Sequence, residues 1–350
     1  MSDDSDQIAE VVDEVLSAWG PADQAKPETS LAAWEALLEL GFPYVSLDED
    51  LGGSGGSHED AFAVLRALGA HGSGAPIAES GLLAGWLLTQ AGLEIEPRLV
   101  AFAPPLGGTL TYDGRTVAGE VSGVAWAEHA AYLVALAEGP DGPVVVEVPA
   151  EALAVSATAH TLAGTPRSRV VLDQAAPARV APSTVDAGRL LRRAAATRVA
   201  LIAGGLERAR DLSVRYTAER VQFGQPVAKF QAVQVHLARL AEDAALVGMT
   251  ADLVASALDS SPDPAFDIAA ATLVARASTR ESTKAAHQAH GAMGVTREYP
   301  LHVVTRHLWQ WAHDYGSLSL WRGVVLDAVR AGGADGYYPL IAAETNGPGR

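Results

Sequence analysis

Apolar residues recur at helical spacing through the first hundred positions. The pattern is clear in two stretches, 8–16 (Ile8, Val11, Val12, Val15, Leu16) and 31–38 (Leu31, Trp34, Leu37, Leu38). It continues through Asp60 to Leu68 and Ser80 to Leu93. A period near 3.6 indicates amphipathic helices, so residues 1–100 are predicted to form an N-terminal helical domain.

The pattern changes between residues 101 and 182. Short β-rich runs are cut there by Gly, Pro and Asp, namely Thr109 to Tyr112, Arg115 to Val117, Ala131 to Leu136, Val144 to Val148 and Arg169 to Leu172. Such runs are typical of strands joined by turns. A small, reduced β-domain is predicted between two helical parts.

From Ser183 the helical period returns and holds nearly to the end. Four long helices are predicted, at Leu190 to Thr217, Phe230 to Leu258, Asp267 to Gly291 and Thr305 to Val329. Four long helices form a bundle, which is assigned to residues 183–342. The polar segment 343–350 is predicted to be a flexible tail. The chain as a whole is predicted to be mostly α.

A glycine-rich stretch, Leu51 to His58, has two interpretations. It could be a phosphate-binding loop, but it lacks the Gly-Lys-Ser/Thr ending and follows no predicted strand. A turn between helices is the favoured interpretation.

Composition narrows the class of protein. The 350 residues are 49% hydrophobic and 19% charged, with a net charge of -17 and no cysteine. This balance predicts a folded core and excludes disulfides and Cys-ligated metals, and no metal site is predicted. The strong negative charge disfavours nucleic acid and membrane partners. The acidic N-terminus and the lack of a long apolar run lead us to expect a cytoplasmic protein.

Two segments carry a family signature. The first, Tyr216 to Gln234, contains an Arg-x-x-Phe-Gly turn, and the second, Gln288 to Pro300, contains Gln-x-x-Gly-x-x-Gly. Together and in this order they resemble the acyl-CoA dehydrogenase family, and Trp34 to Gly53 resembles its first domain. The resemblance covers most of the chain and implies a helical domain, a small β-domain and a C-terminal four-helix bundle.

The resemblance implies FAD at a subunit interface, with the ADP half held by residues that reach across from the neighbour. Arg220 would bind the pyrophosphate as a guanidinium fork, Phe223 would pack on the cofactor, and the glycines would let the backbone approach it. The full predicted set is Arg220, Gln222, Phe223, Gln231, Gln288, Gly291, Gly294 and Ser317. Taken singly, these residues also fit a turn with a packed Phe and solvated glutamines.

The catalytic base of the family is missing from its usual positions. In many members a Glu lies 17 residues after the Glu of Glu-Tyr-Pro, and counting from Glu298 leads to Tyr315. A phenol with a pKa near 10 is a poor base at neutral pH. The other base position of the family falls around Arg193-Ala194, where there is again no carboxylate. Asp314 and Glu207 are the alternatives as a relocated base.

The β-domain departs from the family as well. Its hydroxyl-rich and acidic flavin loop is replaced by Ala101 to Gly108, and its Trp-Ile-Thr flavin contact by Gly123-Val-Ala125. The missing residues are those that would contact the flavin and the substrate in this chain's own site. The residues that would contact the FAD of a neighbouring subunit remain. This asymmetry resembles the small, flavin-deficient subunit of heteromeric α2β2 actinobacterial steroid acyl-CoA dehydrogenases.

The sequence therefore predicts a subunit of an FAD-dependent enzyme that desaturates the α,β bond of a bulky, steroid-like acyl-CoA. A base-carrying homologue is the expected partner, and an electron-transfer flavoprotein the expected acceptor. Two alternatives stay open: a homo-oligomeric dehydrogenase with a relocated base, and a non-catalytic scaffold of the same fold.

Overall fold

The computed structural model describes residues 3–20 and 26–342, so the predicted tail 343–350 lies outside the described residues. The N-terminal part is helical, as predicted. Its helices are α1 (Asp3–Ser17), α2 (Pro27–Glu39), α3 (His58–His71) and a π-helical segment (Ile77–Gly85) that runs directly into α4 (Trp86–Gln90).

The glycine-rich stretch forms a loop that leads into α3. A short 3-10 turn, Glu49–Leu51, precedes it, and Ser57 caps α3 in a capping box with Asp60. The Ser57 hydroxyl accepts from the Asp60 amide at 3.1 Å while the Asp60 carboxylate accepts from the Ser57 amide at 2.9 Å. These bonds satisfy exposed amides at the helix start. The stretch is thus a turn and capping segment, and no strand precedes it within the described residues.

The middle of the chain is one eight-stranded sheet. Its strands are β1 (Val100–Phe102), β2 (Leu110–Tyr112), β3 (Val117–Ala125), β4 (Tyr132–Gly139), β5 (Gly142–Pro149), β6 (Ala154–His160), β7 (Pro166–Ala175) and β8 (Arg179–Pro182). The order is β6-β7-β3-β2-β4-β5-β8, with β1 paired in parallel to β4. The predicted runs correspond to β2, β3, β4, β5 and β7. The runs did not reveal β1, β6 and β8, because two are short and β6 is largely exposed.

The C-terminal part is helical and contains one small hairpin. Its elements are α5 (Ala187–Glu219), β9 (Val221–Gln222), β10 (Gln225–Pro226), α6 (Gln231–Ser260), α7 (Ala265–His290), α8 (Leu301–Trp311) and α9 (Leu318–Ala342). The first three predicted helices match α5, α6 and α7. The fourth is interrupted: Tyr315 and Gly316 adopt positive φ angles of 54° and 96°, and this turn separates α8 from α9.

Helices α3 and α5 cross at very close range, and glycines make this possible. A Cβ added to Gly204 would lie 1.8 Å from the Arg66 carbonyl oxygen, and one added to Gly69 would lie 2.1 Å from that of Leu201. Neither position can carry a side chain unless the helices separate. The crossing fixes the N-terminal helices against the long α5.

One continuous apolar core joins the N-terminal helices to the C-terminal bundle, and a second core fills the interior of the sheet. The largest fully buried side chains include Trp126 in the sheet region and Trp321 on α9. Within the ranges 3–20 and 26–342, no helix has the length and apolarity needed to cross a bilayer.

Candidate functional site

The hairpin between α5 and α6 presents an aromatic side chain to solvent. Phe223 and Gly224 form its two-residue turn, with φ angles of 50° and 81°. Such a turn needs two left-handed residues, which Gly accepts freely and Phe does not. Phe223 is 92% exposed, and its ring lies edge-on to that of Phe230, with centroids 6.1 Å apart. A strained, exposed aromatic residue of this kind is suited to contact with a ligand or a partner.

This hairpin forms one wall of a cavity of about 400 Å3. The opposite wall is the end of α7 and the turn that follows it. Five of the predicted cofactor residues line the cavity, namely Arg220, Gln222, Phe223, Gln288 and Gly291. A Cβ added to Gly291, whose φ is 59°, would meet nothing within 4 Å, so the backbone is freely accessible there.

Stacked aromatic rings lie beneath this cavity. Tyr216 and His290, which both line it, stack with centroids 4.6 Å apart, and Tyr299 lies 4.9 Å from His290. The Tyr299 hydroxyl donates to the Leu212 carbonyl at 2.9 Å, which fixes the ring against α5. Burial lowers the pKa of His290, so the imidazole is neutral at pH 7. The base of the cavity is therefore rigid and uncharged, and Arg220 supplies positive charge at its edge.

Three predicted residues lie outside the lining of this cavity. Gln231 is the first residue of α6, directly after Phe230, which does line it. Gly294 is wedged among side chains, with its added Cβ 3.0 Å from that of His290, which indicates a packing role. Ser317 caps α9, and its hydroxyl accepts from the Leu320 amide at 3.2 Å. Their assignment as cofactor contacts stays a prediction.

Tyr315, where the sequence leads us to expect the base position of the family, belongs to a largely buried ion-pair cluster, which we define as Glu79, Arg167, Arg198, Asp314 and Tyr315. Arg198 lies at its centre. It donates from Nη2 to Glu79 Oε1 at 2.5 Å, from Nε to Asp314 Oδ2 at 2.9 Å, and from Nη2 to the Tyr315 hydroxyl at 3.3 Å. Its guanidinium also lies 4.7 Å from the centroid of the Tyr315 ring.

Arg167 ties this cluster to the sheet. Its Nη2 lies 3.3 Å from Asp314 Oδ2 and 3.6 Å from Glu79 Oε1, and its Nη1 donates to the Gly123 carbonyl at 3.1 Å. Gly123 begins the segment that is predicted to lie at the flavin contact of the family. Two cavities that border Arg198 measure only about 20 and 10 Å3. Neither leaves room for an isoalloxazine ring or an acyl chain.

The electrostatics of the cluster disfavour a general base. Burial raises the pKa of Tyr315 to about 12, so its hydroxyl stays protonated at neutral pH. Burial alone would also raise the pKa of Glu79, but the charges of Arg198 and Arg167 outweigh it and hold that pKa below its ordinary value. A carboxylate stabilised in its ionised form in this way is a weak proton acceptor.

The two alternative base positions are both engaged in ion pairs. The Asp314 carboxylate is shared by Arg198 and Arg167. Glu207 accepts from Arg66 Nη2 at 2.5 Å. In each carboxylate the guanidinium contacts are made to one oxygen, Asp314 Oδ2 and Glu207 Oε1.

The second base position of the family, predicted around Arg193-Ala194 on α5, stays a prediction. The α5 residue that contacts Tyr315 is Arg198. The Arg193 guanidinium faces Trp86 and His58 instead. The sequence analysis missed Glu79, Arg167 and Arg198. A usable signal was present, since Glu79 and Arg198 each interrupt an otherwise apolar helical run.

The arrangement offers an open, partly cationic cavity at the hairpin and a closed ionic cluster at the base position. In the part of the chain that the structure describes, no group of three or more His, Asp and Glu side chains could hold a metal ion. The chemistry that this chain supports directly is therefore the binding of a ligand with anionic and aromatic parts.

Comparisons with known proteins agree with this fold. Residues 184–312 match the family model described as acyl-CoA dehydrogenase, C-terminal domain. The acyl-CoA dehydrogenase FadE28 of Mycobacterium tuberculosis (strain ATCC 25618 / H37Rv) is 28% identical over 289 residues, which are 77% of this chain and 84% of that protein.

Two solved heteromeric assemblies contain chains with the same fold. One is the ChsE4-ChsE5 complex from Mycobacterium tuberculosis, with a TM-score of 0.82 and 23% identity over 93% of this chain and 97% of that chain. The other is the Tcur3481-Tcur3483 steroid ACAD, with a TM-score of 0.80 and 22% identity over 98% of both chains. At these identities the similarity shows the fold.

Proposed function

Because the chain belongs to the acyl-CoA dehydrogenase family, we propose that it is the flavin-deficient subunit of a heteromeric FAD-dependent acyl-CoA dehydrogenase. In this role it holds the ADP half of an FAD whose flavin ring lies in the partner subunit. The partner supplies the carboxylate base, and this chain supplies none.

The hairpin cavity fits the ADP half of such a cofactor. Arg220 provides a guanidinium fork that matches a pyrophosphate, and Gln222 and Gln288 provide amides for polar edges. Phe223 offers an exposed ring face, and the backbone at Gly291 is open to close approach. When bound, FAD accepts the hydride that leaves the β-carbon of the thioester. The residues of this chain bind and orient the far end of the cofactor.

The observation that carries the proposal is the closed ion-pair cluster at the base position. In a working subunit the space beside the base must admit both a flavin ring and a thioester. Here Arg198 and Arg167 bridge Glu79 and Asp314 across that region, and the bordering cavities are too small for either group. The chain thus has an open cavity for the cofactor of a neighbouring subunit, while the site for a flavin of its own is closed. This combination favours a specialised subunit over a decayed enzyme.

The proposed substrate is a bulky acyl-CoA, with a steroid side-chain thioester as the candidate. The support comes from the relatives: one solved assembly with this fold is described as a steroid ACAD. Both assemblies pair two different chains, which supports a base-carrying homologue as the partner.

The test is to express the chain alone and together with a homologue that carries Glu at a family base position. FAD per chain and acyl-CoA turnover with an artificial electron acceptor are then measured. We expect the lone chain to be flavin-poor and inactive, and the complex to hold one FAD per pair of chains. Stoichiometric FAD in the lone chain, with turnover, would refute the proposal.

Three variants of the complex separate this role from the alternatives. Arg220→Ala should weaken FAD binding about 10- to 100-fold, because a hydrogen bond to a charged group contributes about 1.5–3 kcal/mol. The matched control is Arg215→Ala, an exposed arginine five residues earlier that does not line the cavity. Asp314→Asn should leave turnover per bound FAD unchanged.

The outcomes of these variants point to different functions. Turnover by the lone chain that is lost in Asp314→Asn or Glu207→Gln would favour a homo-oligomeric dehydrogenase with a relocated base. Unchanged FAD affinity and turnover in both Arg220→Ala and Gln288→Ala would favour the non-catalytic scaffold.

A further inference from the structure

A second cavity of about 260 Å3 lies on another part of the molecule, where the start of α5 and the end of α6 meet the N-terminal helices. It shares no lining residue with the hairpin cavity. One wall carries two arginines of α5, Arg189 and Arg193, and the rest combines polar side chains with apolar ones such as Leu47, Leu51 and Leu258. The proposed role in FAD binding does not use it.

Among the described residues, no carboxylate oxygen lies within 4.0 Å of the guanidinium nitrogens of Arg189 or Arg193, although neighbouring Arg192 is paired with Asp263 at 2.5 Å. The Asp186 carboxylate contacts only the backbone amide of Arg189, at 2.7 Å. Arg193 is only 8% exposed. A buried cation without a directly paired carboxylate is costly. Burial and the charge of Arg189 lower the pKa of Arg193 to about 10, and the charge of Asp259, which acts in the opposite direction, only partly offsets them.

The surrounding contacts orient these arginines without neutralising them. Arg193 Nη1 lies 2.6 Å from His58 Nε2, and His58 Nδ1 lies 2.6 Å from Asp259 Oδ1. Burial and the Arg193 charge lower the pKa of His58 to about 4, so the ring is neutral. It therefore accepts from Arg193 and donates to Asp259. The remaining charged group in the lining is Asp48, which is exposed at the rim and accepts from the Asp50 amide at 3.0 Å.

An aromatic ring holds the two guanidiniums in place. Arg189 and Arg193 lie 5.3 and 4.9 Å from the centroid of Trp86. Arg189 also donates to Gln90 Oε1 and to the Pro262 carbonyl, both at 3.1 Å. The buried Ser46 hydroxyl in the same lining has no hydrogen-bond partner among the described residues. The cavity thus presents fixed donors beside an apolar wall.

We propose that this cavity binds a small organic oxyanion, with its carboxylate or phosphate group held between Arg189 and Arg193. Planar guanidinium groups match both oxyanions through paired hydrogen bonds. The ligand supplies the negative charge that Arg193 lacks, and Trp86 and the leucines accept its apolar part. A cavity slightly below the 300–1,000 Å3 typical of drug-sized ligands fits a short molecule.

The test is calorimetric titration of the full chain, as purified, with inorganic phosphate and with hexanoate at constant ionic strength. We expect saturable binding of at least one of them, weakened tenfold or more in Arg189→Gln and in Arg193→Gln. Preference for phosphate identifies a phosphate-bearing ligand, and preference for hexanoate a carboxylate with an apolar tail. Circular dichroism checks that the variants fold. Arg189 is half-buried, so Arg189→Gln still tests the proposal if Arg193→Gln, at a buried position, does not fold.

Two further variants separate this cavity from other anion sites. Arg280→Gln removes a 78% exposed arginine outside the lining and should bind the probes like the parent chain. Arg220→Ala removes the cation of the hairpin cavity and should leave the binding that depends on Arg189 in place. Absence of saturable binding would overturn the proposal. So would binding that is retained in Arg189→Gln but lost in Arg220→Ala, because it would assign the anion to the hairpin cavity.

Discussion

Replacing Arg198 with methionine should strongly destabilise the chain. The side chain is only 4% exposed and bonds to both carboxylates of the ion-pair cluster. Methionine keeps much of the aliphatic volume but removes the charge. Glu79 and Asp314 would then depend on Arg167 alone, which lies 3.6 and 3.3 Å from them.

The size of the effect follows from burial. Removing one partner of a buried ion pair typically costs about 3–5 kcal/mol, because the remaining charge is left buried and uncompensated. At a urea slope of about 3 kcal/mol per M, the unfolding midpoint should fall by about 1–2 M. The control is Arg169→Met, whose partner is Glu120. Those two side chains are 51% and 43% exposed, and an exposed pair contributes about 1 kcal/mol or less.

The assay is urea unfolding of both variants and the parent chain, followed by far-ultraviolet circular dichroism. A midpoint for Arg198→Met within 0.3 M of the Arg169→Met midpoint, on the order of 1 kcal/mol at that slope, would refute the reasoning. It would mean that the cluster is hydrated and contributes no more than a surface pair. The claim that the base position is closed would then lose its physical basis.

Three other predictions test separate features of the molecule. Gly204→Ala should prevent soluble expression or lower the melting temperature sharply, since its Cβ would lie 1.8 Å from the Arg66 carbonyl, whereas Gly323→Ala has nothing within 4 Å and should be tolerated. The stability lost in Glu79→Gln should be full at pH 7 and shrink as the pH falls below about 4.3, the ordinary glutamate value, because the folded pKa of Glu79 is lowered; melting temperatures that differ equally at pH 7 and pH 3.5 would contradict this. Gln288→Ala should weaken FAD binding by the complex about two- to twelvefold, the value of one neutral hydrogen bond, as measured by flavin fluorescence titration.

Local signals located most of the helices and strands well. The helical period located α5, α6 and α7 to within a few residues, because each helix buries one continuous face. Arg220 and Phe223 belong to one turn, and Gln288 and Gly291 to one helix end, so each pair is positioned by nearby backbone. Short strands such as β1, and the turn at Tyr315 that divides α8 from α9, gave weaker signals.

The sequence alone determined most of the helical and strand segments, the family resemblance and the presence of a tyrosine at position 315, because each depends on residue type and spacing within a short stretch. Only the tertiary structure decided which side chains surround that tyrosine. Glu79, Arg167, Arg198 and Asp314 come from four separate parts of the chain, and nothing in their spacing brings them together. Their pairing is a consequence of packing, because charges buried by the fold are stable only where opposite charges are buried beside them.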